Sequence, residues 1–130
     1  MATRRIPVLT ETWGGPLKLQ AFPVSPWAWV LRIHGEVDAC NVKLLEGALA
    51  QVFDRGVSRI AVDLGDVPYM SSAAYGSLIV AADRARRNGG VLVIARATPP
   101  LREIFDLLGL SAYLIFADDF IAVRSLLTRD

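Results

Sequence analysis

The sequence predicts an α/β fold: a mixed sheet of four to five strands covered by about four helices. Three observations predict it. Near the start, an alternating stretch and an apolar stretch flank a proline-bounded turn, which reads as a hairpin. After that, segments whose apolar residues recur at helical spacing take turns with short apolar or β-branched runs. The first three helical segments each run into glycine, a residue suited to ending a helix.

The elements follow in order. Residues 17–22 alternate Leu, Lys, Leu, Gln, Ala, Phe and read as a strand. Residues 23–26, Pro-Val-Ser-Pro, turn the chain, and residues 27–34 form the second strand of the hairpin. Trp27 and Trp29 are two apart, which places them on one sheet face. Core cover is the favoured role for the pair; an edge hidden by the N-terminal arm and a dimer contact are the others. Residues 35–38 leave the sheet, and Asp38 or Asn41 can cap a helix running to about Arg55. Val42, Leu45, Leu49, Val52 and Phe53 supply its buried face, and Gly56 stops it.

Residues 59–64 read as a central strand, and residues 65–68 as a turn. A helix follows from about Ser72 to Arg87, with an inner stripe of Tyr75, Leu78, Ile79, Ala82 and Ala85 or Arg86. Asn88, Gly89 and Gly90 end it, and residues 91–95 return to strand, which makes a parallel, right-handed crossover. Pro99 and Pro100 open another helix with Leu101, Ile104, Phe105 and Leu108 inside, closed by Gly109. Residues 114–116 form a brief strand and residues 120–127 a final helix.

Bulk properties narrow the function. The 130 residues fit one domain, residues 17–130, behind a lead-in of residues 1–16 that contains Pro7, Gly14, Gly15 and Pro16. With 53% apolar and 21% charged residues, the composition is globular. Fourteen basic residues stand against thirteen acidic ones, so the net charge of +1 exerts no long-range pull on nucleic acid or anionic lipid. Cys40 is alone, which excludes an intrachain disulfide; one Cys and one His also fall short of a usual zinc site. The apolar runs are too short to span a bilayer, and no signal-like apolar stretch follows Arg4 and Arg5. A cytoplasmic protein with no nucleic acid partner, no membrane insertion, no metal and no cofactor is expected.

The strongest local feature is the run from Tyr69 to Gly76, which follows a central strand and opens a helix. Ser71 and Ser72 sit where the first helical N–H groups lack internal partners. Either serine can be a plain N-cap. A phosphoacceptor is the sharper reading. A phosphoserine brings about −1.5 to −2 charges and would face the positive end of the helix dipole, so it would alter the surface and spare the fold. Gly76 lies one turn beyond Ser72, and Ala73 and Ser77 are small too, so this end of the helix is low in profile. Elsewhere, His34 and Cys40 lack a third group for nucleophilic chemistry. Arg84, Arg86 and Arg87, with Asp83, read as a solvated helix face. There is no Walker-type or dinucleotide-type glycine loop, so machinery to bind ATP for self-phosphorylation is not expected.

The segment from Val62 to Ala73, Val-Asp-Leu-Gly-Asp-Val-Pro-Tyr-Met-Ser-Ser-Ala, resembles the signature of STAS domains. Three further pieces match in order: Ile33 to Asp38, Asn88 to Val93, and Phe105 to Leu110. The similarity covers roughly residues 17 to 128 and implies a STAS-like fold. It also implies an anti-sigma factor antagonist, a non-enzymatic partner of an anti-sigma factor that is a serine kinase. The kinase would phosphorylate Ser72, with Ser71 as the rival position, and a phosphatase would reverse this. Glu36 and Asp38 match the family's acidic loop beside that serine. With Ser71, Ser72, Ala73, Gly76 and Ser77 they make up the expected partner-binding surface. This chain has Ser71 where many members have Asp, Ala74 where many have Gly, and Tyr75 where many have Leu. The resemblance admits two other roles: an unphosphorylated STAS subunit of a stress-signalling scaffold or lipid-transport complex, and a homodimer. An enzyme or small-ligand binder, built on Glu36, Asp38, Asp66 and the serines, ranks last.

Overall fold

A computed structural model describes residues 17–128. The expected lead-in, residues 1–16, lies outside the described residues, as do residues 129 and 130. The hairpin forms from β1 (Lys18–Ser25) and β2 (Ala28–His34), antiparallel, with Lys18 opposite His34 and Pro23 opposite Trp29. β1 thus runs past the expected end at Phe22 and through Pro23. It can do so because β1 is an edge strand, where a missing N–H costs no ladder bond, and because the register slips between Pro23 and Ser25. The expectation for the two tryptophans is corrected here. Trp29 is core, 3% exposed, whereas Trp27 is 74% exposed. Trp27 sits in the turn before β2 begins, so strand alternation does not apply to it.

Three parallel strands extend the sheet: β3 (Arg59–Asp66), β4 (Val91–Ala95) and β5 (Ile115–Ala117), in the order β1-β2-β3-β4-β5. The crossovers are α1 (Val42–Asp54), α2 (Ser72–Arg87) and α3 (Pro99–Leu107). Each new strand joins the same side of the sheet, and crossovers of one hand then place their helices on one face. All three helices indeed share a core with Leu31, Ile33, Ile60, Val62, Leu92 and Ile94. The other face carries smaller residues: Val30, Ala61, Val93 and Ala95. The nine-residue α4 (Phe120–Thr128) covers it through Val123 and Leu127. The α/β fold is as predicted, with five strands and four helices among the described residues.

Local details differ from expectation. β3 continues through Gly65 and Asp66 instead of turning there. The inner stripe of α2 ends on Ala85; Arg86 is exposed. Leu108, expected on the inner face of α3, is exposed at the C-cap position after Leu107.

Candidate partner-binding site

The parallel strands all point their carboxyl ends at one edge of the molecule, and the loops there are sewn together. Gly35, with φ at +113°, swings the chain out of β2, a conformation that suits glycine. Its N–H donates to Asp66 O (3.1 Å), the Val37 N–H donates to Tyr69 O (3.0 Å), and the Ser71 N–H donates to Val37 O (2.8 Å). Val37 and Met70 form an isolated parallel bridge, and both side chains are buried. The exit of β2 therefore holds the residues just before α2 in place.

Asp38 and Asn41 lock the first of these loops. The Asp38 carboxylate Oδ1 accepts from the N–H groups of Cys40 (2.8 Å) and Asn41 (2.9 Å). Asn41 Oδ1 accepts from the Asp38 N–H (2.8 Å), and Asn41 Nδ2 donates to Glu36 O (3.0 Å). By backbone geometry Asn41 is the N-cap of α1, but its side chain makes no cap bond; Asp38 supplies the carboxylate to the turn. Glu36 is exposed. Asp66 is exposed as well, with His34 Nδ1 3.7 Å from its carboxylate.

The two serines divide. Ser71 is the N-cap of α2: its backbone is extended and its Oγ accepts from the Ala74 N–H (3.4 Å). Ser72 is the first helical residue, exposed, and its hydroxyl has no hydrogen bond among the described residues. Ala73 and Gly76 are exposed on the same helix. Ser77 is not: it is 8% exposed, and its Oγ lies 2.5 Å from Glu46 Oε2 on α1 and 3.0 Å from Ala73 O. Of the seven residues expected at a partner surface, Ser77 thus faces the α1–α2 contact and Asp38 is taken up by its own loop. Glu36, Ser72, Ala73 and Gly76 are open to solvent.

One part of the site escapes sequence reasoning. Asp63 is 3% exposed near the end of β3, and four donors converge on its carboxylate. Arg96 gives Nε and an Nη2 (2.9 Å each), Arg32 gives Nε (3.1 Å), and the Gly65 N–H gives a fourth bond (2.9 Å). Burial alone would raise the Asp63 pKa; the bonds from Arg96, Gly65 and Arg32 outweigh it and hold the carboxyl below its ordinary value. Arg96 adopts φ +53°, uncommon for a residue with a side chain, and its guanidinium covers Gly65 so closely that a Cβ there would lie 2.4 Å from Cζ. The signal was one acidic residue inside the apolar run Ala-Val-Asp-Leu: a buried carboxylate requires partners.

The other candidates have local explanations. Arg86 and Arg87 pair with Asp83, while Arg84 pairs with Asp54 and lies over the Phe53 ring. Cys40 is exposed. No group of three His, Cys, Asp or Glu side chains suited to a metal ion occurs among the described residues. No helix among them is long and apolar enough to cross a membrane. Below the serines, Tyr75 packs edge-on against Phe105 at 4.7 Å, its hydroxyl buried with no partner among the described residues.

Comparison with known proteins completes the description. Residues 21–120 match the profile of the STAS domain. A Bordetella bronchiseptica protein named as a candidate anti-sigma factor antagonist, BtrV, is 35% identical over 77 residues. That stretch is 59% of this chain and 66% of the relative. Among solved structures, an anti-sigma factor antagonist from Mycobacterium paratuberculosis superposes with a TM-score of 0.78 at 18% identity, over 88% of this chain and 96% of that one. The Bacillus cell fate determinant SpoIIAA in its phosphorylated form gives 0.65 at 20% identity, over 82% and 96%. At these identities the two structures speak for the fold.

Proposed function

The chain belongs to the STAS domain family, and from that premise we propose that it is an anti-sigma factor antagonist. In this reading it is a non-enzymatic cytoplasmic protein that binds an anti-sigma factor with serine kinase activity and loses that partner once Ser72 is phosphorylated. A phosphatase resets it. The observation that carries the reading is the exposed, unbonded hydroxyl of Ser72 at the first position of α2, beside a serine whose side chain already caps the helix.

The physical logic starts at the helix end. The first N–H groups of α2 have no intrahelical acceptor, so a phosphate on Ser72 meets donors and the positive end of the dipole. That favourable term is about 0.3–1 kcal/mol, which lets the modified domain stay folded. Ser71 is a poorer acceptor because its oxygen would have to leave the Ala74 N–H. Outside, the effect reverses. The new group places about −1.5 to −2 charges where the partner must approach Ala73 and Gly76. Glu36 and Asp66 are exposed at the same edge, and phosphorylation adds charge and bulk to it.

The test uses the purified anti-sigma serine kinases of the source cell, each incubated with ATP and this protein. Mass spectrometry should find one phosphate, on Ser72, with one of them. Equal labelling of Ser72→Ala would remove the assignment. Ser72→Asp should weaken the complex with that kinase at least tenfold; unchanged affinity would remove the switch.

A further inference from the structure

We propose that the groove between β1 and α4 binds a single-chain amphiphilic carboxylate, a fatty acid of medium length, with its headgroup on Arg124. The groove lies on the sheet face opposite α2, so the inference goes beyond the antagonist reading and stands or falls without it.

The groove exists because the two faces of the sheet are covered unequally. Five strands spaced about 4.8 Å apart span about 19 Å. Three helices cover one face. Among the described residues the other face has α4 alone, nine residues long, and a helix with its side chains is about 10–12 Å across. α4 packs chiefly against β3, β4 and β5, and β1 lies at the far border of the sheet. Between β1 and α4 this leaves an open cavity of about 290 Å³, lined by Val24, Phe120, Ile121, Val123 and Arg124. That volume is at the lower end of the range for small-molecule sites.

Four of the five lining residues are apolar, and two of them face water. Phe120 is 53% exposed and Ile121 is 84% exposed. They stand four and three residues before Arg124, so the three side chains are neighbours on one face of α4. Val123, buried against the sheet, is the floor, and the half-buried Val24 is the wall on β1.

Charge and hydrogen bonding select the occupant. Arg124 is exposed, and its guanidinium makes no hydrogen bond or ion pair with a described residue. β1, β2 and α4 contain no Asp or Glu. The acidic residues that border this face are engaged elsewhere. Asp63 holds Arg32 and Arg96, Asp66 faces His34, and Asp119 Oδ1 accepts from the Ala122 N–H at the start of α4 (2.8 Å). Asp118, exposed ahead of the helix, is not paired with Arg124. A peptide in the groove would bring backbone N–H and C=O groups that need partners, and the lining side chains offer a single guanidinium. A second copy docked face to face would bring a second Arg124 to the first. A hydrocarbon chain asks for no hydrogen bonds, and a carboxylate fits the guanidinium fork. One molecule that carries both satisfies the whole lining.

The test titrates the full chain with hexanoate, octanoate and decanoate, each below its micelle concentration, by calorimetry. The Kd should fall about fourfold per methylene that is fully buried and about twofold where half of the methylene stays in water. Octanol, with the same chain length and no charge, should bind at least fivefold more weakly than octanoate. Arg124→Gln should erase that preference and leave octanol binding as it was, while Arg124→Lys should keep it. Ile121→Glu alters an exposed position, and unchanged circular dichroism and melting temperature will establish that it folds; it should weaken octanoate binding at least tenfold. Amide shifts on adding octanoate should centre on residues 24 and 120–124.

An affinity that does not rise from hexanoate to decanoate, or that is equal for octanol and octanoate, overturns the proposal. Shifts centred on α1 and α2 overturn it as well, and so does a folded Ile121→Glu protein that binds octanoate like wild type. If octanoate fails to bind and benzoylphenylalanine at position 121 crosslinks to residues 1–16 or to a second copy, the groove belongs to that segment or that copy, and the fatty-acid assignment is overturned. None of these outcomes alters the labelling of Ser72, so the antagonist reading is tested separately.

Discussion

Asp63, inside β3, and Ser72, at the start of α2, lie on either side of one connection, and they are opposites. Asp63 is buried, charged and satisfied by four donors drawn from β2, β3 and the end of β4. Ser72 is exposed, neutral and unbonded among the described residues. Between them the chain is stitched to the loop after β2 by the Val37–Met70 bridge and its flanking bonds. A hydroxyl offered to a partner needs freedom for itself and rigidity beneath it. The two sides of this connection separate those requirements into different residues.

The largest expected effect strikes the inner end. Asp63→Ala strands two guanidiniums and should destabilise the fold by about 3 kcal/mol, the low end of the range for a broken buried pair. The low end applies because Arg32 and Arg96 keep 33% and 43% of their side-chain surface in water. Urea denaturation measures it, and a loss under about 1 kcal/mol would mean that the cluster is ornamental. Acid is a gentler way to make the same cut. The Asp63 carboxyl lies below its ordinary value of 3.8 in the folded chain, so its contribution is complete above that value. It is lost as the pH falls through the lower, folded value. Wild type should therefore lose stability below about pH 4 more steeply than Asp63→Asn, and parallel pH profiles would remove the claim.

The next effect lies between the ends. Ser71→Ala removes the side-chain cap of α2 and should cost about 1 kcal/mol. The 3.4 Å length of its bond to the Ala74 N–H points to the lower half of the usual range. Ser72→Ala marks the outer end and should change stability by no more than about 0.5 kcal/mol in either direction, as surface substitutions do. A large loss on Ser72→Ala would show that the hydroxyl is structural, and the contrast between the ends would collapse.

A last effect probes what underlies the helix. Tyr75→Phe deletes a buried hydroxyl that has no partner among the described residues and should leave stability unchanged or raise it by up to about 1 kcal/mol. A drop in melting temperature would mean that the hydroxyl is satisfied in solution.

Much of this architecture could be read from the chain, and the reason is local. Helical periodicity and terminal glycines set α1, α2 and α3, and β-branched runs set β3 and β4, within a residue or two. The serine pair could be recognised because capping is a short-range event. Which serine caps could not be read, since that depends on where the helix begins relative to a bridge with Val37, over thirty residues away. Asp63 is the clearer case. Its chief partner, Arg96, is 33 residues distant, and only a left-handed residue after β4 aims that guanidinium back across the sheet. Trp27 misleads for a different reason: alternation holds within a strand, and the strand starts one residue later. Pro23 misleads in the other direction, because its rule against strands lapses at an edge.

That edge has a bearing on how the protein keeps company with itself. An open sheet border is a template on which an identical chain can polymerise. Here one border carries a proline and a slipped register, and the other is a strand of only three residues. Neither offers the long, flat ladder that fibril growth demands, so a crowded cell can hold many copies of this chain without their sheets fusing end to end.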